Sequence, residues 1–323
     1  MAKNSKFIYY LRTYSLLLCP KFILRHIMRR RLNEIAASPE REYIMSRVDY
    51  YNKLDDGATL PDDAPTLGSH TLKNKKCGSV YFFDTYEFTR HFPNHLRWLL
   101  KGGDVTTIPD APTIVKSRPI GDNNANSVLM KLNKVRHFFF VKDTIPFEEK
   151  KNIILFRGDA NGKPGRIRFF EKWFGHPMCD LVDTAGHSVN PAQWKGKGMS
   201  VEEHLNYRYI MALEGVDVAS NLKWVMSSNS IAVMPRPTYE TWFMEGTLIP
   251  NYHYIEIKPD YSDLLERIEY YNSHIDEAKA IIKHANEYVE QFRNKHRENL
   301  ISLAVLAKYF EKTGQCTKTA CKA

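Results

Sequence analysis

The apolar positions change rhythm near Lys142. Beyond it, short and mainly apolar runs alternate with segments of helical spacing: 153–157, with its run Ile153-Ile154-Leu155-Phe156, reads as a strand, 166–174 as a helix, 179–182 as a strand and 201–205 as a helix start. Tyr207–Leu213 then reads as a strand, Val218–Met226 as a helix, and Ile231–Met234 and Tyr252–Ile257 as strands. This alternation predicts a parallel sheet with helices on its faces. From Tyr261 to Lys312 the apolar residues fall at helical spacing (Leu264, Leu265, Ile268, Tyr271, then Ile281, Ile282, Ala285, Val289, Phe292), and the closing TGQCTKTACKA is expected to fray.

Before Lys142 the pattern is less regular. Residues 21–54 read as helical, and DDGATLPDDAPTLGS (55–69) reads as a surface connection, because turn-formers crowd out any period. Val80–Phe83 predicts a strand, Phe88–Leu100 a helix started or broken by Pro93, Thr113–Lys116 a strand, and Arg118–Asn124 a polar turn. Leu132–Val141 is expected to end in a buried strand. The class is therefore α/β, divided into domains at 1–145 and 146–285, with a closing helix and tail at 286–323.

At 323 residues and 43% hydrophobic content, two cores are affordable. Five scattered cysteines without a Cys-x-x-Cys pair argue against a disulfide framework or a zinc site, and a reducing cytosol is the expected home. The net charge of +9 changes the picture only at one end. Residues 1–31 carry eight basic groups (Lys3, Lys6, Arg12, Lys21, Arg25, Arg29, Arg30, Arg31) and no acid precedes Glu34, so the remainder is close to neutral. The longest uncharged run there, Thr13–Pro20, is far below the roughly 20 apolar residues that span a bilayer. Two readings stand for this segment: an interfacial element seeking anionic lipid, where each cation can add about 1 kcal/mol, or a first domain helix with a solvated basic face. No nucleic-acid-binding motif accompanies the charge, so nucleic acid is not an expected partner.

Two turns at strand ends carry candidate chemistry. FRGDANGKPGRIR (156–168) combines Gly158, Gly162 and Gly165 with Arg157, Lys163, Arg166 and Arg168 ahead of a helix, where backbone N–H groups and the helix dipole favour an anion. It fails the phosphate-loop template, since only three residues separate Gly158 from Gly162 and Pro164 stands in place of the hydroxyl residue. Its arginines could equally pair with surface carboxylates. The second turn, Glu214–Lys223, places small residues (Gly215, Val218, Ala219, Ser220, Asn221) at a helix start with Lys223 one turn in, an arrangement that admits a diphosphate or merely allows close packing. Glu240, beyond the strand at 231–234, could accept ribose hydroxyls or sit at a helix N-terminus. No metal-binding motif is present: there is no Asp-x-Asp, His-x-x-His or His-Glu-x-x-His.

FRG (156–158), HLNYRY (204–209), EGVDVASNLKW (214–224), YETWF (239–243) and LIPNYHYIEIK (248–258), together with KSRPIGDNNANSVLMKLNKVRHFFFVKD (116–143), resemble glycosyltransferase family 90, and in particular its bacterial lipopolysaccharide members. The resemblance implies a GT-B fold, two Rossmann-like domains facing a cleft, with 1–145 on the acceptor side and 146–285 binding the nucleotide-sugar. It implies a UDP-hexose donor, no cofactor or metal, inversion to a β-linkage, and a lipopolysaccharide inner-core saccharide as acceptor. The donor residues it implies are Arg157, Gly158, Arg166, Arg168, Gly215, Val218, Ala219, Ser220, Asn221, Lys223 and Glu240. The base is expected at Asp122, with Asp110 behind it, because Pro119 occupies the position that follows the strand's arginine, where animal members carry an aspartate. The expected location is cytoplasmic, with residues 1–31 reaching the inner face of the inner membrane. A different class of reading, a non-catalytic peripheral protein that binds anionic lipid or nucleic acid through its basic N-terminus, stands beside it, as does a phosphotransferase.

Overall fold

A computed structural model of the protein describes residues 6–15, 17, 21–73 and 77–316. Lys3, counted above among the basic groups, and 317–323 of the tail expected to fray lie outside the described residues. The chain forms two compact units. The N-terminal unit runs to Val135 and takes back Tyr239–Phe243 and everything from Phe292 onward; the C-terminal unit comprises Arg136–Thr238 and Met244–Gln291. The break falls earlier than 145/146, and two later segments return across it. Apolar rhythm marks elements but not the unit they join.

In the N-terminal unit lie α1 (Lys6–Ser15), α2 (Lys21–Ala37), α3 (Arg41–Tyr51), α4 (Ser79–Thr89), β1 (Leu100–Lys101), β2 (Thr113–Val115), β3 (Ser117–Pro119) and β4 (Ser127–Leu129), followed at the junction by α5 (Lys134–His137). β1, β2 and β4 form a parallel three-stranded sheet. Val80–Phe83, expected as a strand, is the first turns of α4, and the helix expected over 88–100 ends at Thr89. A run this short and apolar fits either state, and here Phe82, Phe83 and Phe88 are buried on a helix instead. The strand expected to close 132–141 is likewise absent; its one regular element is α5.

The C-terminal unit contains β5 (Lys151–Gly158), α6 (Pro164–Trp173), β6 (Cys179–Asp183), α7 (Val201–His204), β7 (Tyr207–Met211), α8 (Leu222–Val225), β8 (Ile231–Met234) and, past β9 (Tyr239–Thr241), β10 (Ile255–Glu256), α9 (Leu264–Ser273) and α10 (Ile275–Glu290). Its five strands are all parallel, in the order β10-β8-β7-β5-β6. One face packs Ile154, Phe156, Tyr209, Met211, Ile231, Val233 and Ile255 against Phe169, Phe170, Leu264, Ile268 and Ile281 from the helices. The capping box Ser200–Glu203 starts α7: the Ser200 hydroxyl accepts from Glu203 N–H and the Glu203 carboxylate accepts from Ser200 N–H. Chain order departs from β5 to β6 on one side, then resumes with β7 on the other side of β5. Between β5 and β7, then, the sheet has its topological switch point.

β9 belongs to the N-terminal unit, pairing antiparallel with β3 (Arg118 opposite Glu240), and α11 (Lys295–Lys312) packs there against α3 and α2. Tyr51 of α3 stacks on Trp242 with ring centroids 3.8 Å apart. Glu298 of α11 receives Arg47, Lys131 and the Trp242 indole N–H at 3.0, 3.0 and 2.6 Å. Residues as far as 251 positions apart in sequence thus meet at one buried carboxylate.

Candidate functional site

Open parallel sheets bind ligands outside the carboxyl ends of their strands at the switch point, and here the loops after β5 and β7 meet there through one side chain. Arg166, in the first turn of α6, donates from Nη1 to the Asp159 carbonyl (2.8 Å), from Nη2 to the Leu213 carbonyl (2.7 Å) and from Nε to the Glu214 carbonyl (3.2 Å). A guanidinium has five N–H donors, so two remain. Burial lowers its pKa, with the nearby Arg136 acting in the same direction and Asp159 opposing. It nevertheless stays a cation at any physiological pH.

The glycines make room for this side chain. A Cβ on Gly215 would come within 3.1 Å of Arg166 Nη2 and 3.3 Å of its Cζ, so any larger residue in the β7 loop displaces the guanidinium. On Gly158 a Cβ would sit 2.9 Å from the Phe156 ring, whose face also lies 5.5 Å from the Arg166 guanidinium. Gly162 has φ +65°, a left-handed turn that favours glycine. α6 begins at Pro164, whose ring fits the first helical position, and the N–H groups of Gly165 and Arg166 are left open at its positive end. Lys163 lies beside them, paired with Asp159 at 2.5 Å, and Arg168 is exposed on the same helix. The ingredients are those of an anion site.

Neighbouring loops are braced by carboxylates. Asp183, at the end of β6, is fully buried and accepts from Ala160 N–H (2.9 Å), Ala185 N–H (3.0 Å), Ser188 Oγ (2.8 Å) and Asn190 Nδ2 (2.9 Å). Burial would raise its pKa; the four donors outweigh it and hold the carboxyl below the usual aspartate value. Glu214 accepts from the N–H and hydroxyl of Thr238, joining the loops after β7 and β8. Asp183 and Arg136 were not singled out from sequence. An aspartate ending a strand is a faint signal at best, and Arg136 reaches Arg166 only through the fold.

At four of the expected donor positions the fold supplies other partners or another geometry. Arg157 turns along the sheet, 2.6 Å from Asp180 and bonded to the Phe156 and Asp180 carbonyls, so its charge is compensated there. Lys223 is fully buried, 2.8 Å from Glu245 and over the Phe138 ring, and faces the interior. The helix expected from Val218 is α8, starting only at Leu222: Val218 and Ala219 are buried in the turn, Ser220 is partly exposed, and Asn221 Nδ2 caps the Met211 carbonyl at 2.9 Å. Four residues of helix make a weak dipole. Glu240 is neither a helix start nor at the end of the five-stranded sheet. It is buried in β9 of the N-terminal unit, where Arg118 Nε donates to it at 2.7 Å and the Tyr50 hydroxyl donates to its other oxygen.

Asp122 and Asp110 are exposed on the N-terminal unit. Asp122 follows β3, close enough for its charge to act on the Lys53 ammonium, whose pKa burial lowers and Arg118 lowers further. Among the described residues no group of three or more His, Cys, Asp or Glu side chains is placed to hold a metal ion.

Comparison with known proteins places the chain in a family. Residues 130–309 match glycosyl transferase family 90, a span that holds all of β5 to β10 and the switch point. The O-glucosyltransferase LpsA of Dichelobacter nodosus is 43% identical over 277 residues, 86% of each chain. Human protein O-glucosyltransferase 3 is 30% identical over 119 residues, which are 36% of this chain and 23% of the human one. Zebrafish protein O-glucosyltransferase 2 is 32% identical over 85 residues, 26% of this chain and 17% of that protein. The chain belongs to glycosyl transferase family 90 and is a transferase of that family.

Proposed function

We propose that the protein moves a hexose, glucose in the first instance, from a UDP-sugar onto a saccharide of the lipopolysaccharide core. The observation that carries this reading is the switch point of the C-terminal sheet. There Arg166 is held by three carbonyls with donors to spare, the open N–H groups of α6 adjoin it, and Gly158 and Gly215 leave room for a close approach. That constellation suits a diphosphate. Glucose is favoured because the relative matching most of the chain is an O-glucosyltransferase, and its name LpsA points to lipopolysaccharide.

The reaction proposed is a direct displacement within a GT-B arrangement. An acceptor hydroxyl attacks C1 of the sugar opposite the UDP oxygen, the C1–O bond breaks, and inversion gives a β-linkage. Asp122 takes the hydroxyl proton, a role for which positioned side chains contribute typically about 100- to 10,000-fold, and Asp110 is the second candidate. Charge growing on the departing UDP is met by Arg166, Arg168, Lys163 and the start of α6. Protein cations fill the place a divalent ion would take, so activity is expected to survive chelator. We place the reaction at the cytoplasmic face of the inner membrane, where the acceptor is assembled. A non-catalytic binding role is set aside by membership of a transferase family.

Transfer of radiolabelled glucose from UDP-glucose to core lipopolysaccharide lacking that sugar tests the proposal, with Asp122→Asn alongside. The variant is expected to bind UDP normally, seen as an unchanged UDP-dependent rise in melting temperature, and to lose transfer by 100-fold or more, within the range expected of a general base. Full turnover in Asp122→Asn would move the base to Asp110. No transfer from any UDP-hexose by the unaltered protein would defeat the reading.

A further inference from the structure

We infer that the outward face of α1 is a docking surface for an anionic lipid bilayer, into whose interface Phe7, Ile8 and Leu11 insert. The helix is fixed to the N-terminal unit by its more polar side. Tyr9 donates its hydroxyl to Asp84 Oδ1 (2.8 Å) and to the Val80 carbonyl (3.3 Å) of α4, Thr13 is buried, and the Tyr10 ring meets Phe83 edge-on at 6.1 Å. Its apolar side faces away: Phe7 is 75% exposed, Ile8 65% and Leu11 64%. Positions i, i+1 and i+4 share one helical face, with Tyr14, 51% exposed, at its edge and resting on Phe83. A helix that only covered a core would turn these residues inward. A contiguous apolar face with a polar inner side marks an interaction surface.

The charge around this face selects its occupant. No acid precedes Glu34 and residues 1–31 carry eight basic groups; on α1 itself Arg12 is 65% exposed, 3.5 Å from Glu87 of α4. Against a second copy the same face would bring two basic segments together, an arrangement like charges oppose. Anionic headgroups complement it. Ten residues of helix span roughly 15 Å, about half the hydrocarbon core, so α1 lies in the interface without crossing it. Among the described residues no helix is long and apolar enough to cross a membrane. This inference does not depend on the transferase reading, since it rests on α1 and the basic N-terminal segment that carries it.

Co-sedimentation of the full chain with phosphatidylethanolamine–phosphatidylglycerol vesicles, and with phosphatidylcholine vesicles as the uncharged comparison, tests it. The unaltered protein is expected to bind the anionic vesicles and the uncharged ones weakly. Phe7→Glu/Leu11→Glu should weaken binding by about tenfold or more per side chain, while its melting temperature and UDP response stay unchanged. Phe7→Trp gives an independent reading, as its emission should shift to shorter wavelength on addition of anionic vesicles. The inference is overturned by any of three results: the unaltered protein leaves the anionic vesicles in solution; the double variant binds them as tightly; or the new tryptophan does not respond. A dimer that Phe7→Glu/Leu11→Glu dissociates would also overturn it and make a second copy the occupant.

Discussion

Arg166 is the residue on which the proposed donor site most depends. It joins the loops after β5 and β7, and each of its three bonds goes to a main-chain carbonyl. Arg166→Ala is expected to lower stability by about 1–3 kcal/mol through those unsatisfied carbonyls, and to abolish the UDP-dependent rise in melting temperature. Arg166→Lys should not restore it, because a point cation cannot reproduce the fork. Gly215→Ala asks the same question from the other side: a methyl 3.1 Å from Arg166 Nη2 shifts the guanidinium, so UDP affinity should fall while the fold persists, measurable by calorimetric titration. Asp183 adds a pH dependence. Its folded pKa is depressed, so its contribution to stability is complete above the usual aspartate value of 3.8 and is lost as pH falls through the lower folded value. Thermal melts below pH 3.8 should therefore fall more steeply for the unaltered protein than for Asp183→Asn, whose amide does not titrate.

Among the elements, α8 departs furthest from its expected role. A long helix from Val218 would have aimed a dipole and Lys223 at the ligand; the observed helix covers Leu222–Val225 and drives Lys223 into the interior against Glu245. Lys223→Ala leaves Glu245 buried without that partner and is expected to cost about 3–5 kcal/mol of stability, whereas Lys223→Met combined with Glu245→Leu should recover most of it. Chemical denaturation of the three proteins separates a pair that holds the fold from a lysine that holds substrate. α6 did what its spacing suggested, since Pro164 and the glycines around it specify a helix start by backbone geometry alone.

Over the whole molecule, the chain's two returns matter most. Tyr239–Phe243 leaves the C-terminal unit to pair with β3, and α11 closes the N-terminal unit through Glu298. Trp242 is fully buried, stacked on Tyr51 and bonded to Glu298, so Trp242→Ala should destabilise the N-terminal unit by about 3–5 kcal/mol. In the proposed reading UDP binds the other unit. Differential scanning calorimetry should therefore show the substitution and the nucleotide displacing different transitions, a test that treats the protein as two units instead of one cooperative block.

What the sequence determined by itself was what local geometry and short-range pattern decide. The strands at 153–157, 179–182, 207–213 and 231–234 were legible because predominantly apolar runs between turn-formers have few other solutions in a parallel sheet. The anion-friendly turn at 156–168 was legible because glycine spacing and Pro164 act on their own neighbours. Burial partners were not legible. Nothing near Glu240 in sequence announces Arg118 and Tyr50, and nothing near Lys223 announces Glu245, so two charged residues at plausible spacing read as ligands, and the fold matches each with a distant opposite charge. Burying a charge is costly unless it is paired, and pairing is set by which segments the tertiary fold brings together. The same reason explains why Val80–Phe83 became a helix and why Tyr239–Phe243 changed units: short apolar or aromatic runs satisfy either state, and the surface they pack against makes the choice.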